Sequence, residues 1–172
     1  MPLTRLTRLT RLWRSAVLLL GLFGCASAHA LCTLVCSCSV STTSVAFGAH
    51  NPLLAANNDS TGNVRVACGG VVGLSIPFTI AVAAGTSGSM AARQMASGAA
   101  RLNYNIYTSG TRTTVWGDGS GATATVAGSI LLDLLGTSPP QDFPVYGRIP
   151  GSQGGVAPGS YADALVVTLT WF

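Results

Sequence analysis

Ala162-Asp163-Ala164-Leu165-Val166-Val167-Thr168-Leu169-Thr170-Trp171-Phe172 is the run that decides the fold. Leu165, Val167, Leu169 and Trp171 fall on every second position, so an extended chain puts all four on one face. With nothing after Phe172 to pair beside it, the run is expected to form an edge strand. A long apolar edge invites pairing with another chain, and proteins normally cover it, charge it or break it with proline. None of these devices is visible here, and cover from a second chain is the expected remedy.

Working back from this strand, β-type runs bounded by Gly, Pro, Asn and Ser are expected at 39–47, 63–68, 74–83, 102–108, 113–116, 122–132, 145–149 and 162–171. Short strands separated by turns, with no long helical period, predict an all-β sandwich or barrel. Asn103-Tyr104-Asn105-Ile106-Tyr107 predicts one face of Tyr104 and Ile106, with Asn103, Asn105 and Tyr107 on the other. Asp118-Gly119 has the chemistry of a tight hairpin turn. The Gly- and Ser-rich segment 85–98 reads as a long loop, with one helical turn at most over 90–96.

The opposite end of the sequence is of another kind. Arg5, Arg8, Arg11 and Arg14 precede an apolar run at 16–24, followed by Ala26-Ser27-Ala28-His29-Ala30. Basic, apolar, then small is the order of a secretory signal peptide. The apolar run falls well short of the roughly 20 residues that a membrane-spanning helix needs, so no stable membrane span is expected. The division expected is residues 1–30 as signal peptide and 31–172 as one domain, with cleavage after Ala30 or Ala28. Leu22-Phe23-Gly24-Cys25 is a competing lipobox-like site, although Phe23 is bulky where such boxes hold a small residue.

Removing that leader changes the charge. The formal +4 of the whole chain comes from the leader arginines, and Arg65, Arg93, Arg101, Arg112 and Arg148 then balance Asp59, Asp118, Asp133, Asp142 and Asp163. No basic cluster survives to hold nucleic acid. A neutral surface with few ionised groups also favours association.

Cys32, Cys36, Cys38 and Cys68 remain after cleavage, and an even number in an exported chain reads as disulfides. Four cysteines allow three connectivities. Cys38 with Cys68 is the preferred pairing, leaving Cys32 and Cys36 to close a local loop. The spacing C-x3-C-x-C is also compatible with metal, but no histidine lies near it and an oxidising compartment favours the bonds.

Catalytic chemistry finds little support, and no cofactor is called for. His50 is the one histidine left, in a turn-like segment where a solvated side chain is expected. No G-x-S-x-G elbow occurs, and no Ser-His-Asp set has local support. The five aspartates lie in different segments, so paired-acid hydrolysis is unsupported. Gly117-Asp118-Gly119-Ser120-Gly121 leads into a β-type run rather than a helix, so it reads as a turn and not a phosphate cradle. Tyr104, Tyr107, Trp116, Tyr146, Tyr161 and Trp171 are scattered, which suits core packing better than a sugar platform.

Several ordered blocks form a recognisable pattern over nearly all of 31–172. They are Cys38-Ser39-Val40-Ser41-Thr42-Thr43-Ser44-Val45-Ala46-Phe47-Gly48, Arg101-Leu102-Asn103-Tyr104-Asn105-Ile106-Tyr107-Thr108, Thr114-Val115-Trp116-Gly117-Asp118-Gly119, Val145-Tyr146-Gly147-Arg148-Ile149-Pro150 and Gly159-Ser160-Tyr161-Ala162-Asp163. The chain resembles the spore coat protein U domain family, whose members look like pilins of archaic chaperone-usher systems.

The resemblance implies an immunoglobulin-like β-sandwich lacking its final strand, completed by donor-strand addition. It implies a periplasmic pilus chaperone, an outer-membrane usher and other pilin subunits as partners. It also implies passage through the periplasm to the cell surface, and a structural, non-enzymatic role in adhesion and biofilm formation. On it, Cys38 and Cys68 correspond to the family's bridge between the first two strands, and Leu165, Val167, Leu169 and Trp171 to the terminal strand beside the acceptor groove. Trp116 and Tyr146 match motif positions expected to be structural. His50, where the motif often has tyrosine, and the extra Cys32 and Cys36 are departures.

Only 31–37 precedes Cys38 as a donor segment, which predicts a subunit that accepts a strand and donates none, as a tip or minor subunit would. The alternatives are a secreted spore-coat or matrix protein assembled without an usher, and a carbohydrate-binding domain.

Overall fold

A computed structural model of the chain describes residues 36–172. In chain order the strands are β1 (Ser37–Thr43), β2 (Asn58–Gly69), β3 (Ser75–Val82), β4 (Gln94–Ser97), β5 (Ala100–Asn103), β6 (Asn105–Tyr107), β7 (Val115–Trp116), β8 (Thr123–Ala124), β9 (Val126–Leu131), β10 (Gln141–Ile149) and β11 (Val167–Trp171), with a 3-10 turn at Gly85–Ser87. Period-two patterning explains the longer strands. In β3, Ile76, Phe78, Ile80 and Val82 are buried while the residues between them are not.

One sheet has the order β1-β2-β10-β6-β7-β8 and a second the order β11-β3-β9, with β4-β5 as a separate pair. Val64, Val66, Val145 and Ile149 of the first sheet share one core with Ile76, Phe78, Ile80, Val82 and Ile130 of the second. Each such side chain contributes about 1.5–3 kcal/mol by leaving water. Trp116 is wholly buried, and its indole N–H is satisfied by the Ile80 carbonyl of the facing sheet at 3.0 Å. Phe78 meets Phe143 edge-on across the same interface, 5.7 Å between ring centroids. The architecture is an all-β, immunoglobulin-like sandwich.

Its two sides differ. On one, β8 runs directly into β9 through Thr125, so the chain itself stitches sheet to sheet. On the other, β1 and β11 are edge strands of opposite sheets and do not pair with each other. Val40 of β1 remains 37% exposed although its cross-strand neighbour Val66 is fully buried. The core stops one strand short on that side.

Cys38 and Cys68 face each other in the β1–β2 register and are joined by a disulfide. Closing a loop of 30 residues, the bond contributes about 3–4 kcal/mol on the chain-entropy account. Cys36 is disulfide-bonded as well. Cys32, Cys25 and the expected signal peptide lie outside the described residues.

The structure revises several expectations. The segment 85–98 is not one loop, because its end forms β4 against β5, and no helical turn spans 90–96. Asp118-Gly119 does not make a tight hairpin: β7 and β8 pair in parallel, and the connection swings round through Asp118, whose carboxylate takes the Ser120 amide. Asn105 is buried rather than exposed, because the segment before β4 covers it: its amide donates to the Met90 and Ala91 carbonyls and its Oδ1 accepts from the Arg93 guanidinium. The run 122–132 divides at Thr125 between the two sheets. The last run is a paired strand only from Val167 onward; 163–166 is extended without a ladder.

The surface ion pairs lie across strands. Arg148 and Arg112 both reach Asp59, and Arg65 grips Asp142 through Nε at 2.8 Å and Nη2 at 2.7 Å. The Arg65 guanidinium, aided by the Asn63 amide, lowers the Asp142 carboxyl to about 2. Because this lies below the ordinary 3.8, the pair's contribution is complete above about pH 4 and is lost as pH falls towards 2. Asp142→Asn is expected to flatten that part of the Tm-versus-pH curve, by a small amount because the pair is exposed. An unchanged slope between pH 4 and 2 would contradict the assignment.

Candidate functional site

Between the two unjoined edges runs a groove with walls, a floor and unpaired backbone. The first wall is the continuation of β1 through 44–50, and the second is 161–166 leading into β11; neither stretch forms part of a named strand. The alternation of the flanking strands nevertheless persists in both. Val45 and Phe47 on one side, and Tyr161, Asp163, Leu165 and Val167 on the other, are half-buried while their neighbours point to solvent. The floor is core: Val64, Val82, Met95, Leu102, Tyr104, Ile106, Val145 and Ile149 are buried beneath them.

Two cavities follow this line. The larger, about 870 Å³, lies at the end bounded by 45–52 and 156–161, and the smaller, about 370 Å³, runs from Thr42 and Val45 to Leu165 and Val167. Val45, Phe47, Met95 and Tyr161 line both, so the two are compartments of one furrow. Carbonyls on the first wall are tied outward, to the β2 side: Asn58 donates to Phe47 O at 3.1 Å and Ser60 to Ala46 O at 2.6 Å. The second wall is likewise held from behind, by Ala96 and Ala162 exchanging both backbone bonds and by the Ala83 amide on Val166 O. Among the described residues no backbone bond crosses the groove.

The carboxylate in this apolar lining is Asp163. It accepts from the Tyr104 hydroxyl at 2.7 Å, from the Thr86 amide at 2.9 Å and from the Thr86 hydroxyl. Burial alone would raise its carboxyl, but these donors outweigh that and hold it below the usual carboxylate range. Burial, reinforced by the bond to Asp163, pushes the Tyr104 phenol far above its ordinary value. The pair therefore stays a protonated donor facing an ionised acceptor.

Of the residues singled out in the sequence, Leu165 and Val167 line the groove. Leu169 and Trp171 continue the same half-buried face opposite Ile80 and Phe78, against the core. Trp116 is core, and Tyr146 lies under the Arg112 guanidinium at 5.8 Å. The first wall and the Tyr104–Asp163 contact escaped the sequence reading, although both sit in motif blocks quoted there. A period-two count carried through 45–47 and 161–165 places Val45, Phe47 and Asp163 on the half-buried faces, but the contact of Asp163 with Tyr104, 59 residues away, has no local signal.

His50 lines the larger cavity, with its Nε2 atom buried and without a hydrogen-bond partner, so it is not the solvated side chain expected. The aspartates are each engaged separately: Asp59 and Asp142 by arginines, Asp118 and Asp133 by turn amides, Asp163 by Tyr104 and Thr86. Among the described residues no group of His, Cys, Asp or Glu could hold a metal ion. Nor is any helix among them long and apolar enough to cross a membrane.

The geometry suits one kind of occupant. Two unpaired strand edges over an apolar floor accept a further β-strand, whose backbone bonds to the walls while alternate side chains fill the compartments. Comparison with known proteins gives a family model, described as Spore Coat Protein U domain, that matches residues 25–168. No individual curated protein matches the sequence. A solved structure with similarity is the crystal structure of the CsuC-CsuE chaperone-tip adhesion subunit pre-assembly complex from archaic chaperone-usher Csu pili of Acinetobacter baumannii. It has a TM-score of 0.49 and 19% identity, covering 78% of this chain and 39% of that one.

Proposed function

The chain belongs to the Spore Coat Protein U domain family, and from that premise we propose that it is an exported structural subunit of a chaperone-usher surface pilus, completed by a β-strand from a partner. The open groove between the β1 and β11 edges carries this reading. A core that ends one strand short leaves apolar surface and backbone groups to be covered by another chain. A periplasmic chaperone is the first occupant and a neighbouring subunit's extension the second, with an outer-membrane usher as the assembly platform. No catalytic step is assigned to the protein.

The same reading makes it a tip or minor subunit. With cleavage after Ala30, only 31–36 precedes β1, because Ser37 is already paired with Gly69. So short a segment, holding the disulfide-bonded Cys36, is a poor donor. An adhesive role is supported at the end of the sandwich where β1 begins. Leu134 and Leu135 there are 89% and 83% exposed, on a turn held by the Asp133 carboxylate. That turn is tied to the Val71–Val72 loop by the Gly70 amide on Gly136 O. Rigid, exposed apolar turns present a preorganised contact surface for attachment and biofilm formation.

Co-expression with candidate periplasmic chaperones tests the proposal. A soluble complex with one of them is expected, with aggregation of the subunit alone; a monodisperse monomer that ignores every chaperone would sink it. Leu134→Asp with Leu135→Asp is expected to leave that complex intact and to lower surface retention of cells. Unaltered retention would remove the adhesive part.

A further inference from the structure

No backbone bond joins the groove walls among the described residues, so side chains have to set their separation. Tyr104 lies on the floor and touches both walls. Its ring packs edge-on against Phe47 of the first wall, 6.1 Å between centroids at 75°, while its hydroxyl donates to Asp163 of the second. Asp163 is held in turn from behind by Thr86 in the 3-10 turn.

The turn is built to receive that wall. Gly85 has φ +71°, and a Cβ there would run into Asp163 Oδ2 and lie 2.7 Å from Leu165 Cδ2, so only glycine lets the wall come so close. Arg93 fixes the supports. Its guanidinium bonds the Val82 and Ala83 carbonyls, which lead into the turn, and the Asn105 side chain next to Tyr104.

We propose that Tyr104 and Asp163 are positioning residues, a clasp that holds the two groove walls apart at the spacing of a β-strand before any strand arrives. The inference rests on the strand-acceptor reading and adds to it how the groove is kept ready. A groove fixed beforehand spares the incoming strand the cost of ordering its walls. Without the clasp, the open arrangement becomes a fraction of the population, and capture slows in proportion to that fraction.

The test uses the mature chain, released from its chaperone complex and held at nanomolar concentration so that binding outruns aggregation, with a fluorescent peptide of alternating Thr and Val followed by stopped-flow anisotropy. Tyr104→Phe keeps the ring on Phe47 and removes only the hydroxyl. The association rate is expected to fall about tenfold, the equivalent of one hydrogen bond to a charged group. Dissociation should stay within about twofold, since the filled groove is held by its strand. A merely structural loss would lower thermal stability without separating the two rates.

Asp163→Asn serves as the second variant if Tyr104→Phe folds poorly. The double variant should be no slower than the slower single one, because both changes open the same clasp. Native-like association in both singles, or effects that simply add, would overturn the clasp while leaving strand capture intact. No capture by the native chain would overturn the strand-acceptor reading and the clasp with it.

Discussion

Val167→Asp is expected to abolish recovery of the protein as a soluble chaperone complex, while Val166→Asp one residue earlier is not. Val167 is half-buried, lines the smaller compartment of the groove and stands opposite Val82 in the β11–β3 register. In the empty groove a carboxylate there still reaches water, and the domain folds. Once a strand lies over it, the charge is enclosed among Val64, Val82, Ile106 and Val145 with no cation to meet it. Enclosing an unpaired carboxylate costs several kcal/mol. A loss of about 4 kcal/mol is roughly a thousandfold in Kd, enough to remove a complex from a purification. Val166 is 66% exposed and faces away from the groove, so its substitution controls for expression and export. Equal yields of complex from Val167→Asp and the native chain would refute the groove as the capture site.

How far the sequence reveals this site depends on which residues carry their own signal. Leu165, Val167, Leu169 and Trp171 do, because strand alternation is a local property that survives without a partner strand. The open edge could be read for the same reason. The first wall was harder. Val45 and Phe47 keep the alternation, yet 44–50 belongs to no ladder, and its boundary with β1 is set by where pairing with β2 ends at Thr43 and Asn63.

Other features were beyond local reading altogether. The parallel pairing of β7 with β8 is decided by the swing of 117–122, and the dipeptide Asp118-Gly119 says only that a turn occurs. Asn105 reads as an outer residue by alternation, and Leu102, Tyr104 and Ile106 keep that alternation, but the 90–93 segment packs over Asn105 and buries it. β4 was hidden in a Gly-rich segment because its partner β5 and the Ala162 bridge supply the order that its own composition lacks. Arg93 gave no hint of its place, since nothing local tells a surface arginine from one that collects carbonyls from distant strands.

Arg93 also sets the largest expected loss of stability. It is 0% exposed, and its guanidinium donates to Ala83 O at 3.1 and 2.8 Å, to Val82 O at 3.1 Å, to Trp116 O at 2.8 Å and to Asn105 Oδ1 at 2.8 Å. Burial lowers its pKa, with Tyr104 and Asp163 opposing, but an arginine stays protonated in proteins. A cation so enclosed persists because each of its three nitrogens meets at least one oxygen.

Arg93→Met keeps much of the aliphatic stem and strips those oxygens of a donor they share. Such a change costs about 3–5 kcal/mol, against a total stability of about 5–15 kcal/mol for a domain of ordinary size. The midpoint of denaturant unfolding is expected to fall steeply with an unchanged m-value, the mark of lost stability without a change in the surface exposed. Arg93→Lys should recover only part, because a single ammonium cannot reach two strand ends and Asn105 together. Arg101, exposed and bonded only to Gly98 and Ala100 carbonyls nearby, offers the contrast: Arg101→Ala should move stability by less than about 0.5 kcal/mol. If Arg93→Met unfolded within about 1 kcal/mol of the native chain, the buried network would not be what joins the end of β3 to the β6–β7 region. The support of the groove would then have to come from the apolar floor alone.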